Sequence, residues 1–288
     1  MSITLQTAES IERLVDGQFD RQFVDEAAYK KAWQVESADR NPFDAAFTGG
    51  MLADRLSWVF VAAYQSALRA CFPLIPDRVY STFAVSENTQ DAALPGTSLD
   101  ASGRLVGTKT WIASSRLVDH LVVTLGPGLD GGLVAAFAGD GVKLTHRDNP
   151  GFLGDMSQGF ATFEGTPCTP VLEHRALSFG LAEPFFIAVA GTGYLLREFR
   201  RLNLPRQQAA AEQWVPALWS LYSDSAGFDS DVPLLLELYE AVAGLGKACA
   251  AETGNRVGDG INAADWSANG RLLGMYGGGL RRRVSRRS

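Results

Sequence analysis

The sequence predicts an α+β protein in which helices flank a central β-region. Apolar residues recur at helical spacing from Ser10 to Phe72 and again from Leu177 to Met275. Between them lie Tyr80–Val85, Arg104–Ile112, His120–Leu125, Leu133–Phe137 and Phe160–Glu164. These runs are short, rich in β-branched and aromatic residues, and bounded by Gly, Asp, Asn or Pro. The order is therefore a helical N-terminal region (1–77), a central antiparallel β-domain (78–174) and a C-terminal helical bundle (175–288). At 288 residues the chain has material for a large core.

Two modest helices are expected between Ser10 and Val35, with Ser10 and Asp25 as N-caps. Asn41-Pro42 breaks the pattern. A long helix from Met51 to Phe72 follows, with Leu52, Leu56, Val59, Phe60, Ala63 and Leu68 on one stripe, until Pro73 and Pro76 stop it. Because it carries Asp54, Arg55, Gln65 and Arg69, it reads as a core helix and not as a membrane span. In the β-region, Asp100-Ala101-Ser102-Gly103 is a tight turn. The glycine-rich piece Gly126–Gly132 lacks a Walker lysine and also reads as a turn. Glu183-Pro184 then opens a helix to about Leu202, Pro205 interrupts, Gln207–Tyr222 forms another, and Pro233 starts a third that reaches Thr253. A last helix, Ala263–Met275, stops at Gly277-Gly278-Gly279.

Several function classes lose support. A formal net charge of −6 argues against nucleic acid as a partner, since phosphate neutralisation needs clustered cations. The exception, Arg281–Arg283 with Arg286-Arg287, is local and reads as a solvated tail. Cys71, Cys168 and Cys249 are odd in number and far apart, so neither a disulfide framework nor a thiolate zinc site is indicated. The N-terminus has no basic start followed by an apolar run. A reduced, cytoplasmic setting without membrane association is expected. His120, His146 and His174 are not spaced as metal ligands, and neither GxSxG nor GxGxxG occurs in the context its chemistry needs.

The central stretch resembles a known family. Phe83-Ala84-Val85-Ser86-Glu87 precedes an Asp-containing loop. Gly103 and Leu105-Val106-Gly107-Thr108-Lys109-Thr110-Trp111-Ile112 follow, then Val118-Asp119-His120-Leu121-Val122-Val123. Farther on come Phe152-Leu153-Gly154-Asp155-Met156-Ser157 and Ala161-Thr162-Phe163-Glu164-Gly165-Thr166-Pro167. In this order the pieces resemble the acyl-CoA dehydrogenase family over about residues 50–170, with the rest similar in outline.

The resemblance implies an acyl-CoA dehydrogenase-like fold, a FAD cofactor and an acyl-CoA or other acyl thioester as substrate. It implies a flavin wall in which Trp111 lies against the ring and Phe83, Val85 and Ser86 line its pyrimidine edge. The alternative for Trp111 is a plain β-core role. Leu272–Gly279 is similar to the family's Gln-x-x-Gly-Gly-x-Gly, which makes Gly277 and Gly278 candidates for close approach to the cofactor. Self-association into a homo-oligomer is expected, as in the family.

The departures bear on chemistry. Where the family has Thr or Ser two residues after the Trp, this chain has Ala113, and only Ser114 or Ser115 on a shifted strand offers a hydroxyl. The loop after Glu87 is Asn88-Thr89-Gln90-Asp91, which departs from the family's pattern. Arg200-Arg201-Leu202-Asn203-Leu204-Pro205-Arg206 stands where the family has an Arg-x-x-Phe-Gly segment at the flavin pyrophosphate. Without Phe-Gly it reads as an exposed basic helix end. Dehydrogenation at the α,β-carbons needs a carboxylate for the α-proton. The usual glutamate lies beyond the glycine motif, and the sequence stops nine residues after Gly279. Glu252 is then the nearest candidate base, its plain alternative being a solvated carboxylate at a helix end. Two functions remain open: a FAD-dependent oxidoreductase acting on the CH-CH group of an acyl thioester, or a catalytically degenerate relative serving as a binding subunit to a longer dehydrogenase-like chain.

Overall fold

A computed structural model describes residues 4–76, 78–91, 93–148, 151–224, 227–228, 230–254 and 260–286. The first three residues of the N-terminal stretch and Arg287 of the basic tail lie outside these. The chain forms two compact units, 1–67 with 178–288, and 68–177. The sequence treats the two helical regions separately; in the structure they build one body.

The helical unit contains α1 (Leu5–Val15), α2 (Glu26–Glu36), α3 (Pro42–Leu52) and most of α4 (Leu56–Cys71). After the β-unit come α5 (Phe179–Arg201), α6 (Pro205–Glu212), α7 (Val215–Ser223), α8 (Val232–Gly254), α9 (Gly260–Asn269) and α10 (Gly277–Ser285). Asp25 caps α2 as its sequence position predicts, its carboxylate accepting the Ala28 N–H at 2.8 Å. Ser10 caps nothing. α1 starts earlier, at Leu5 behind Thr4, and Ser10 is buried against the Thr48 hydroxyl (2.9 Å). The cause is Asp44, which collects the hydroxyls of both Thr4 and Thr7 and so fixes the first turn of α1 to α3. Asn41-Pro42 does more than interrupt, because Asn41 accepts the Asp44 N–H at 2.9 Å and Pro42 occupies the first turn of α3.

The expected long helix from Met51 to Phe72 is broken at Ala53–Arg55. Ala53 is extended, and its carbonyl accepts from the buried Arg197 at 2.7 Å, while Asp54 accepts the Phe23 N–H at 2.8 Å. Gln207–Tyr222 likewise divides, into α6 and α7, with Pro216 in the first turn of the second. Glu183-Pro184 does not open a helix: α5 already runs from Phe179, with Pro184 inside it. Gly277–Gly279 begins α10 where a stop was expected, and none of the three takes the left-handed backbone such a stop requires. The basic tail is in part α10 itself, and Arg281 pairs with Glu240 at 2.7 Å.

Helix α5 runs through the core of this unit. With the preceding turn, Ala176–Arg201 is long and apolar enough to cross a membrane by length and composition, yet 83% of its apolar window is buried inside the protein. It crosses α3 at backbone contact. A Cβ on Gly50 would stand 1.9 Å from the Ala190 carbonyl oxygen, and one on Gly193 would stand 2.3 Å from that of Phe47. Only glycine fits at either place.

In the β-unit, β1 (Ser81–Ala84), β4 (His120–Thr124), β5 (Leu133–Phe137) and β8 (Thr169–Pro170) form one four-stranded sheet in the order β1-β4-β5-β8. The second sheet has the order β2-β3-β7-β6, from β2 (Ser98–Leu99), β3 (Leu105–Ala113), β6 (Val142–His146) and β7 (Gln158–Thr166). The expected all-antiparallel arrangement holds except at β1 and β4, which pair in parallel. The chain visits the other sheet through β2 and β3 before returning, and so re-enters beside β1 in the same direction. Leu105, Ile112, Leu121, Val123 and Phe163 belong to the apolar core of this unit. Both predicted turns are present: Asp100–Gly103 closes β2 on β3 with Gly103 at φ +76°, and Gly126–Gly132 joins β4 to β5.

Lys109 of β3 is fully buried. Its ammonium donates to Glu87 (2.6 Å), the Thr124 hydroxyl (2.7 Å) and the carbonyls of Gly126 (3.0 Å) and Val85 (3.3 Å). Glu87 in turn accepts from the Thr97 N–H and hydroxyl at 2.9 and 2.8 Å. Burial pulls Lys109 below the ordinary ammonium value, and Glu87 partly restores it. For Glu87 the opposing burial is overcome by Lys109 and Thr97, so its carboxyl falls below the usual range.

Two predictions follow from these contacts. Gly193→Ala and Gly50→Ala each lower stability by about 1–3 kcal/mol through overpacking. Gly244→Ala on α8, where nothing lies within 4 Å, gains up to about 1 kcal/mol of helix propensity, and urea titration of these glycine variants measures both effects. Lys109→Met, which strands the Glu87 carboxylate, costs about 3–5 kcal/mol, and the double replacement Lys109→Met with Glu87→Leu recovers most of it. Thermal denaturation of the three variants measures this.

Candidate functional site

The sequence candidates fall on both units. On the β-unit, Val85 and Ser86 leave β1 alongside β3, where the Thr110 N–H donates to the Ser86 carbonyl at 2.8 Å. From Lys109 to Ile112 β3 advances three residues while β7 advances two, from Ala161 back to Gly159. This bulge carries Thr110 and Trp111. Trp111 is half-buried, its indole N–H directed to the Gln158 side-chain oxygen at 3.4 Å. Beside it, Arg147 donates to the Thr110 carbonyl (2.9 Å) and covers the Phe160 ring at 4.7 Å. Ser86 is exposed, so its hydroxyl is available to a ligand.

Phe83 is buried and packs on Phe72, with ring centroids 4.9 Å apart. β3 keeps its pairing through Ala113, opposite Gln158, so the strand is not shifted to bring a serine forward. Ser114 is 1% exposed at φ +52°, and its neighbour Ser115 is held by His146 at 3.0 Å.

On the helical unit, Gly277 and Gly278 lie in the first turn of α10. Added Cβ atoms would make only ordinary contacts there, 3.8 Å to Arg281 from Gly277 and 3.7 Å to Arg282 from Gly278. Over Gly279 nothing lies within 4 Å. The protein itself does not demand glycine at these places. Gly277 is buried and its N–H donates to the Gly274 carbonyl at 3.3 Å, while Gly278 is exposed in the first turn.

Glu252 is partly exposed, close to the end of α8. A second carboxylate, not singled out by the sequence, has the more unusual setting. Glu183 lies in the second turn of α5 within an apolar run, partly exposed, with the Tyr276 hydroxyl near enough to favour its charged form. Burial raises its carboxyl from the ordinary 4.5 to about 7 against that opposing effect. Tyr276 is itself held: its N–H donates to the Tyr239 hydroxyl (3.2 Å), which donates to the Leu272 carbonyl (3.1 Å). Burial raises both phenols above their ordinary value. The signal available in the sequence was a lone carboxylate among Phe179, Leu181, Phe185 and Phe186. Such a residue either finds a partner or gives up its charge. Among the described residues no group of three or more His, Cys, Asp or Glu side chains is placed to hold a metal ion.

Solved structures match the chain over its length. PigA with FAD and proline aligns over 100% of this chain and 99% of its own, with a TM-score of 0.67 at 11% identity. Butyryl-CoA dehydrogenase from Megasphaera elsdenii aligns over 97% and 98%, at 0.59 and 9%. Glutaryl-CoA dehydrogenase from Mycobacterium smegmatis in complex with FADH2 aligns over 94% and 89%, at 0.62 and 13%. The fold is that of the acyl-CoA dehydrogenases. At these identities the likeness establishes architecture alone. No protein-family model and no curated protein sequence matches the chain. Within the acyl-CoA dehydrogenase fold, then, the residues that this chain offers for chemistry must be judged on their own surroundings, and on that ground Glu183 stands ahead of Glu252.

The Glu183 environment has a consequence for stability. Its folded value lies above the unfolded one, so its contribution is fully present below about pH 4.5 and is lost as pH rises through about 7. Glu183→Gln keeps the size of the side chain and removes this slope. At pH 8 the variant is more stable than the parent by about 2–3 kcal/mol, while at pH 4 the two are alike. Urea denaturation at the two pH values checks the sign.

Proposed function

We propose that the protein is a FAD-dependent oxidoreductase that dehydrogenates the Cα–Cβ bond of an acyl thioester, with Glu183 as the base. The observation that carries this is a carboxyl tuned to about 7 in the helical unit of a fold found in FAD-bound dehydrogenases. A general base works best when its pKa lies near the working pH, and an exposed carboxylate is too weak for an α-proton. When ionised, Glu183 takes the proton from the α-carbon. The Tyr276 hydroxyl nearby favours the ionised carboxylate, and the apolar neighbours on α5 oppose it.

The residues present fit a flavin. On the β-unit, Trp111 supplies a half-exposed aromatic surface and the exposed Ser86 a hydroxyl. Bound there, FAD would accept the hydride that leaves the β-carbon. The alternative function, a partner subunit without chemistry, draws on Ala113, which gives a flavin no hydroxyl. It loses its other motive, the missing base, once Glu183 is counted.

The protein is expected to purify yellow, or to take up added FAD, and to be bleached anaerobically by an acyl-CoA. The bleaching rate should rise with pH through about 7. Glu183→Gln should retain FAD and lose about 10²–10⁴-fold in rate, and Glu252→Gln should change little. A colourless protein that takes up no FAD would exclude the oxidoreductase. Copurification of such a protein with a longer dehydrogenase-like chain would favour the partner role. Undiminished bleaching by the Glu183→Gln variant would remove Glu183 from the mechanism.

A further inference from the structure

At the C-terminal end of α5 a cavity of about 360 Å³ is lined by Arg197, Arg200 and Arg201 and by Asp20, Arg21 and Gln22 of the α1–α2 connection. Its volume is within the range of small-molecule sites, roughly 300–1,000 Å³. We propose that this cavity binds a phosphoryl anion, either free phosphate or a phosphorylated small molecule, at a site separate from any flavin.

Arg197 is only 6% exposed, and two of its nitrogens are spent on the carbonyls of Ala53 (2.7 Å) and Arg21 (2.9 Å). Its Nε is buried with no protein partner among the described residues, and so is Nη1 of Arg200. A lysine in this position would shed its proton, but a guanidinium cannot. Two cationic N–H donors are therefore held out of water with their hydrogen bonds unmade, a costly arrangement unless a ligand completes it.

The charge count points the same way. Glu198 is taken up by Arg201 at 2.7 Å and by Arg197 at 3.5 Å. Against the remaining guanidinium charge, the lining offers only the Asp20 carboxylate. The helix C-terminus adds the equivalent of about half a negative charge, too little to reverse the excess. A phosphoryl group suits this setting better than a carboxylate, since it brings up to two charges and three acceptor oxygens to forked donors. Asp20, Arg21 and Gln22 are exposed at the rim, which leaves the cavity a way in. Asp20 opposes an anion there and limits its affinity.

The full chain is titrated calorimetrically with inorganic phosphate and with pyrophosphate at constant ionic strength, with chloride as the control, before and after saturation with FAD. Saturable binding is expected in both states. Arg200→Gln should weaken it about tenfold or more, the loss of one charge-assisted bond, and Asp20→Asn should tighten it. Opposite signs from two substitutions on one cavity are not produced by misfolding, and equal melting temperatures in chloride verify that both variants fold. Preference for pyrophosphate over phosphate would indicate a phosphorylated small molecule, and the reverse would indicate the free ion. No saturable binding, or undiminished affinity in Arg200→Gln, would overturn the proposal. Displacement of pyrophosphate by FAD would place the cavity inside the cofactor site and overturn its separateness. None of these outcomes depends on whether the protein dehydrogenates anything.

Discussion

The helical unit depends on one close contact, the crossing of α3 and α5 at Gly50 and Gly193. Because a Cβ on either would meet a main-chain carbonyl of the other helix, the two axes approach more closely than side-chain packing allows. That approach buries Leu181, Ala182 and Pro184–Phe199 of α5, with Glu183 keeping part of its surface exposed, and these apolar surroundings are what give its polar residues unusual properties. Glu183 near one end becomes a weak acid. Arg197 near the other is drawn inside, where its guanidinium caps the break between α3 and α4 through the Ala53 carbonyl. Both proposed sites are thus consequences of where one helix lies.

The β-unit is organised differently, around the buried Lys109. Its ammonium ties β3 to the residues leaving β1 and β4, and Glu87 and Thr97 complete the charge balance. The network gives Lys109 a reason to be lysine, and it brings Ser86 beside the bulge that carries Trp111. The surface offered to a ligand is in this sense the outer side of a buried ion pair. A buried pair of this kind contributes little net stability compared with apolar residues of the same shape. It does fix geometry, because a displaced strand would leave both charges without partners.

Much of the architecture was legible in the sequence because local rules and tertiary packing agreed. Asp25 caps, Asn41-Pro42 punctuates, the Asp100–Gly103 turn closes, and five β-branched runs become strands. The strands missed by that reading are β2 and β8, of two residues each, and β6, whose face is largely exposed; none carries enough apolar pattern to be seen. Errors arose where a distant partner decided the outcome. Asp44 reached across to Thr4 and Thr7 and moved the start of α1 away from Ser10. Arg197, more than a hundred positions along the chain, satisfied the carbonyl at which the expected long helix breaks. Composition alone marks the three glycines as a stop, but a stop is a matter of backbone conformation, and theirs is helical. Glu183 was overlooked for a related reason, since Glu-Pro is a common helix opening and nothing local reveals that the turn before it is already helical.

The two ends of α5 also show which electrostatic effect prevails. The N-terminal half of a helix dipole favours a carboxylate, by about 0.3–1 kcal/mol at an exposed site, and this fades within the first turn. Glu183 is the fifth residue of α5, past most of that benefit. The rise of its carboxyl from 4.5 to about 7 corresponds to about 3 kcal/mol in the opposite sense, so burial decides its state. The same burial at the other end has a different result, because arginine has no neutral form to retreat to. There the unmet requirement is expressed as demand for an acceptor. One buried helix therefore yields a base where the residue can lose its charge, and an anion cavity where it cannot.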